Sequence, residues 1–129
     1  MKFAYTIVYV DDVAASLAFF EAAFGLSRRF LHESGAYGEL ETGGTALAFA
    51  QHATARANLG RDYVPADRSA PPLGMEVGLA CDDVPAAWHR AVAAGALGLV
   101  EPVEKPWGQV VAYVRCPDGT LVELCTPMG

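Results

Sequence analysis

The side chains best suited to metal binding or nucleophilic attack are few: Cys81, Cys116 and Cys125, with His32, His52 and His89. The cysteine spacing matches no zinc motif, and an odd number cannot all pair within one chain. Reduced thiols are therefore expected. Cys116 stands beside Arg115 in a turn read as surface, where a guanidinium favours a thiolate; it is assigned no role. The histidines fall in unlike settings. His32 lies in a predicted strand after the first helix, His52 opens a long connecting segment, and His89 follows Trp88 on the second helix, turned from its apolar stripe. The chain has no phosphate-cradling glycine loop and no Ser nucleophile elbow, so catalytic residues are not identified from motifs.

Carboxylates are more numerous. Fifteen Asp and Glu against nine Lys and Arg give a net charge of -6. That balance argues against a nucleic-acid-binding face, which is basic, and suits cationic small molecules. With 53% hydrophobic and 19% charged residues over 129 positions, one packed domain is expected. The apolar run "FAYTIVYV" is too short for a membrane span and carries no signal-peptide cleavage pattern. A soluble, cytoplasmic protein without a membrane partner is expected.

The elements that position these groups are written twice. "IVYVDDVAASLAFF" begins at Ile7 and "VGLACDDVPAAWHR" at Val77. Laying Asp11 on Asp82, an offset of 71, brings Asp12 onto Asp83, Val13 onto Val84 and Leu17 onto Trp88. Each copy is a β-like run, an Asp N-cap candidate and a helix. Val13, Leu17, Phe20 and Phe24 keep helical period, as do Val84, Trp88 and Ala91. Gly25 and Gly95 are the helix stops, and Pro85 suits a first helical turn. "GGTALAFA" (Gly43–Ala50) lies on "DGTLVELC" (Asp118–Cys125) at an offset of 75, each a turn feeding a strand. Two further strands fit in each half, at about 26–33 and 37–41, then about 97–104 and 109–115. The fold class is α+β: two β-α-β-β-β modules, 1–50 and 75–129, joined by a linker at 51–74. A linker this long either spans the modules or covers a cavity, with Arg61 and Tyr63 as contact candidates.

The duplicated helix entries, "PWG" at Pro106–Gly108 and "RCPDGTLVEL" at Arg115–Leu124 together resemble the vicinal oxygen chelate superfamily, the group of glyoxalases, bleomycin-resistance proteins and extradiol dioxygenases. The resemblance covers essentially the whole chain. It implies a cupped, eight-stranded mixed sheet around a cavity, and a homodimer. It specifies fold more than reaction, because this fold hosts enzymes and pure binders.

Metal-dependent members place one ligand near the start of each module's first strand and one on each last strand. Carried over, these positions are Tyr5, Ala48, Glu76 and Glu123. Ala48 has no donor atom, and a phenol that titrates near ~10 is a poor ligand. Catalytic transition-metal sites ordinarily gather three protein ligands including an imidazole. The reading is therefore a binder without a metal cofactor, holding an aromatic or cationic small molecule as resistance proteins do. The expected ligand-binding residues are Tyr5, Phe49, Glu76, Trp107, Tyr113 and Glu123. The alternative is a metal-dependent glyoxalase-type lyase or a dioxygenase. It would use Ni, Zn, Mn or Fe held by Glu76, Glu123 and His52, with His32 as a further candidate.

Overall fold

A computed structural model describes residues 1–128, in the order β1 (Tyr5–Val10), α1 (Val13–Phe24), β2 (Ser27–Leu31), β3 (Tyr37–Glu41), β4 (Ala46–Gln51), α2 (His52–Leu59), β5 (Val77–Ala80), α3 (Val84–Ala94), β6 (Leu97–Glu104), β7 (Val110–Arg115) and β8 (Leu121–Cys125). The Asp pairs start their helices as expected. Asp12 and Asp83 accept the amide hydrogens of Ala15 and Ala86, both at 3.0 Å, which satisfies a free N–H in each first turn. Gly25 and Gly95 end α1 and α3 with positive φ of 69° and 120°, a conformation a Cβ would disfavour.

The eight strands form two four-stranded mixed sheets, β1-β4-β3-β2 and β5-β8-β7-β6. In each, the module's last strand runs parallel to its first and antiparallel to its third. This is the expected pair of β-α-β-β-β modules of a cupped, eight-stranded fold. The helices α1 and α3 pack on one another and on their own sheets. Val13, Leu17 and Phe20 of α1 and Val84 and Ala91 of α3 share one core with Leu47, Phe49, Val114, Val122 and Leu124.

The strand period of two decides which residues the core consumes. On β4, Leu47 and Phe49 face the helices, so Phe49, expected to contact ligand, is fully buried with its ring 5.0 Å from that of Phe20. It is a core residue. On β8, Val122 and Leu124 take that face, which leaves Leu121, Glu123 and Cys125 on the side away from α3. Cys116 likewise departs from the surface-turn expectation. It is 4% exposed within the core, and burial pushes its thiol far up.

The linker is structured. It carries α2 and a single 3-10 turn at Ala66–Arg68. Arg115 fastens it to the second module by donating to the carbonyl oxygens of Ala66, Ser69 and Ala70 at 2.7, 2.9 and 3.1 Å. At Gly119 the backbone of Ala66 and Asp67 comes so close that any Cβ would overlap it.

Candidate functional site

The register across β5, β8 and β7 assembles three of the expected residues. Gly78 pairs with Glu123, and Glu123 with Tyr113. Glu76, two residues before Gly78, shares their face by strand alternation. The Tyr113 hydroxyl donates to Glu123 Oε2 at 2.8 Å. That bond, with burial and the nearby carboxylates, raises the Tyr113 phenol to about 12. Glu76 is exposed, yet partial desolvation of its carboxyl and the charge and hydrogen-bonding contact of Glu123 raise it above its ordinary range. Among the described residues neither Glu76 nor Glu123 has a cationic side chain as salt-bridge partner. Leu97, Val100 and Val103 of β6, paired with Arg115, Tyr113 and Val111, stay exposed around this open face.

The first module builds its counterpart differently. Tyr5 is half exposed and Ala48 is buried at the position matching Glu123. Directly across from Ala48, however, stands Glu39 of β3. Its Oε2 accepts from the Tyr37 hydroxyl at 2.6 Å, and Arg29 lies 3.3 Å from its other oxygen. A Glu–Tyr pair thus occurs on both open faces, although the repeat aligns Glu123 with an alanine. Glu39 was not among the expected residues, and only the alternation of "YGELE" hints at its facing.

Between the modules, under the linker, lies a cavity of about 310 Å³ lined by Ile7, Tyr9, Tyr63, Val64, Leu73 and Glu76, among others. Glu76 therefore belongs both to the carboxylate pair and to the cavity wall. The rings of Tyr9 and Tyr63 lie 4.9 Å apart, tilted by 55°. Arg56 covers Tyr63 with its guanidinium carbon 5.0 Å from the ring centre. His52, the first residue of α2, is 5% exposed. Its Nδ1 is hydrogen-bonded to the Tyr63 hydroxyl. Its Nε2 has no hydrogen-bond partner among the described residues and lies 3.5 Å from Asp11 Oδ1.

The remaining candidates sit apart. Trp107 is 64% exposed in the β6–β7 turn, where its Nε1 donates to Gln109 at 3.0 Å. His32 and His89 are exposed, and Arg61 is exposed outside the cavity wall. His52 engages Tyr63 and Asp11 instead of turning to Glu76 and Glu123.

This donor set is a poor match for a transition metal. Two carboxylates, one already accepting from Tyr113, face no imidazole, and their counterparts are a phenol and a methyl group. Among the described residues no three His, Cys, Asp or Glu side chains converge as a metal would require. Nor is any helix among them long and apolar enough to cross a membrane.

Comparison with known proteins matches the sequence to a family. The family model described as the glyoxalase/bleomycin resistance protein/dioxygenase superfamily matches residues 2–124. A glyoxalase-related enzyme from Fulvimarina pelagi superposes with a TM-score of 0.82 at 23% identity, over 100% of this chain and 93% of that one. A glyoxalase/bleomycin resistance protein/dioxygenase family enzyme from Burkholderia phytofirmans PsJN gives 0.84 at 19% identity, over 99% and 100%. TioX from Micromonospora sp. ML1 gives 0.72 at 20% identity, over 99% and 100%. At these identities the superpositions speak for fold alone. No curated protein matches the sequence.

Proposed function

The chain belongs to the glyoxalase/bleomycin resistance protein/dioxygenase superfamily, and within it we propose a small-molecule binder that holds a planar, cationic ligand against Glu76 and Glu123. The observation that carries this reading is the carboxylate pair that, among the described residues, has no cationic side chain as salt-bridge partner. Two adjacent like charges destabilise one another, and a ligand cation removes that cost. The tyrosine rings nearby offer apolar area and negative π faces to the same group. The mechanism is sequestration: no bond is made or broken, and affinity comes from charge pairing and stacking.

The working form is a homodimer. Tyr5, Phe30, Leu97, Val100, Val103 and Trp107 are all exposed on the single chain, a density of apolar surface that favours burial. A second copy closing over the open faces accounts for it. Tyr5 and Trp107 stay in the proposed ligand set as exposed aromatics within reach of a ligand or of that copy.

Calorimetric titration of the purified protein with benzamidine, and separately with Ni, Zn, Mn or Fe salts, tests the reading. Saturable binding of benzamidine without competition from the metals is the expected result. Tight uptake of a divalent metal that is lost in Glu76→Ala would overturn it in favour of a metal-dependent enzyme.

A further inference from the structure

Tyr63 is the one group on the linker that joins the cavity to a buried titratable side chain. Its ring lines the cavity, and its hydroxyl is bonded to His52 Nδ1. The partners around His52 favour one direction for that bond. Asp11 Oδ1, 3.5 Å from Nε2 and anchored in turn by Arg68 at 3.7 Å, attracts the ring proton to Nε2. Nδ1 is then left as an acceptor. Burial raises the Tyr63 phenol, so the hydroxyl keeps its proton and donates it to Nδ1. The Tyr63 oxygen is left with lone pairs only.

We propose that Tyr63, oriented by His52 and Asp11, is a specificity-determining residue of the cavity, and that its oxygen receives an N–H or O–H donor from the ligand. His52 is the positioning residue, because its Nδ1 is the partner that sets which way the Tyr63 hydroxyl points. With Nδ1 accepting from the hydroxyl, the Tyr63 oxygen is presented to the cavity as an acceptor. The charged and titratable groups facing this pair are Asp11 on the β1–α1 junction, Arg68 on the 3-10 turn, Arg56 on α2, Asp62 beside Tyr63, Tyr9 on β1 and Glu76.

The inference rests on reading the cleft as a ligand site, but it can fail separately from the carboxylate reading. Indole and benzothiophene are neutral bicycles of nearly equal shape, and only indole carries an N–H donor. Neither has a charge for Glu76 or Glu123 to attract. Affinities are measured by NMR titration. Indole is expected to bind about fivefold to tenfold more tightly than benzothiophene, the weight of one hydrogen bond. Tyr63→Phe should remove that preference and leave benzothiophene binding intact. His52→Phe, which removes the acceptor that orients the Tyr63 hydroxyl, should shrink or invert the preference, while His52→Gln, which keeps an acceptor, should retain part of it. A role for His52 in packing alone would weaken both probes together and leave their ratio constant. An unchanged ratio in Tyr63→Phe or in His52→Phe, or no binding of either probe, overturns the proposal. If benzamidine still binds through Glu76 and Glu123 in that case, the carboxylate reading survives it.

Discussion

The response of Glu76 to pH can be measured. Burial and Glu123 raise the Glu76 carboxyl above its ordinary 4.5. The folded state therefore holds that proton more tightly than the unfolded chain. The resulting stability is fully present below the ordinary glutamate range and lost as pH rises through the raised value. Glu76→Gln is accordingly expected to melt higher than the wild type at neutral pH, with the gap closing below about pH 4. Tyr113 gives a second residue-scale check. Its phenol should titrate near 12, and Glu123→Gln should return it toward 10, followed by ultraviolet absorbance. The family resemblance marked the positions of Glu76 and Glu123, and the repeat offsets, which need no three-dimensional information, related them to Tyr5 and Ala48. Phe49 was misplaced because a strand pattern gives the alternation but not which half of it meets the helix. Glu39 went unread because its position opposite Ala48 is a fact of register between strands.

At the scale of elements, the helices and strands of both modules were legible because their signals are local. Each helix carries its own Asp cap and Gly stop, and each last strand its own turn. The linker was not. "HATARANL" has no apolar stripe, and α2 buries only His52 and Ala55, so its stability comes from tertiary contacts. Arg115 is the main fastening. Arg115→Ala removes three charge-assisted bonds to linker carbonyls and should cost about 1–3 kcal/mol. The loss should be local, with faster amide exchange confined to the 3-10 turn and its neighbours while β7 and β8 remain protected. The cavity beneath the linker should loosen with it, because Ala66 lines that cavity.

For the whole molecule, one core joins the two modules through α1 and α3, and each open face carries a Glu–Tyr pair. The proposed dimer follows from that division. The β6 residues Leu97, Val100 and Val103 are exposed on the single chain. A charge placed among them, Val100→Asp, should shift the protein toward monomer in light scattering while leaving its circular dichroism unchanged, since the side chain lies outside the core. A wild type that is monomeric at the same concentration would remove the dimer. The sequence anticipated the two modules, while the acidic ligand site it suggested stands as the proposal made above. A cavity under the linker was one of two readings of that segment, with Tyr63 as a contact candidate; its other walls, on β1 and the approach to β5, are set by tertiary packing.

The central claim is that a carboxylate pair selects an organic cation. Its most direct test is the affinity of benzamidine against that of benzamide, a neutral analogue of similar shape, in the wild type and in Glu76→Gln/Glu123→Gln. The wild type should favour benzamidine by about tenfold, roughly 1.4 kcal/mol, and the double variant should bind the two alike. A double variant that keeps the wild-type preference, or a wild type with none, would contradict the account.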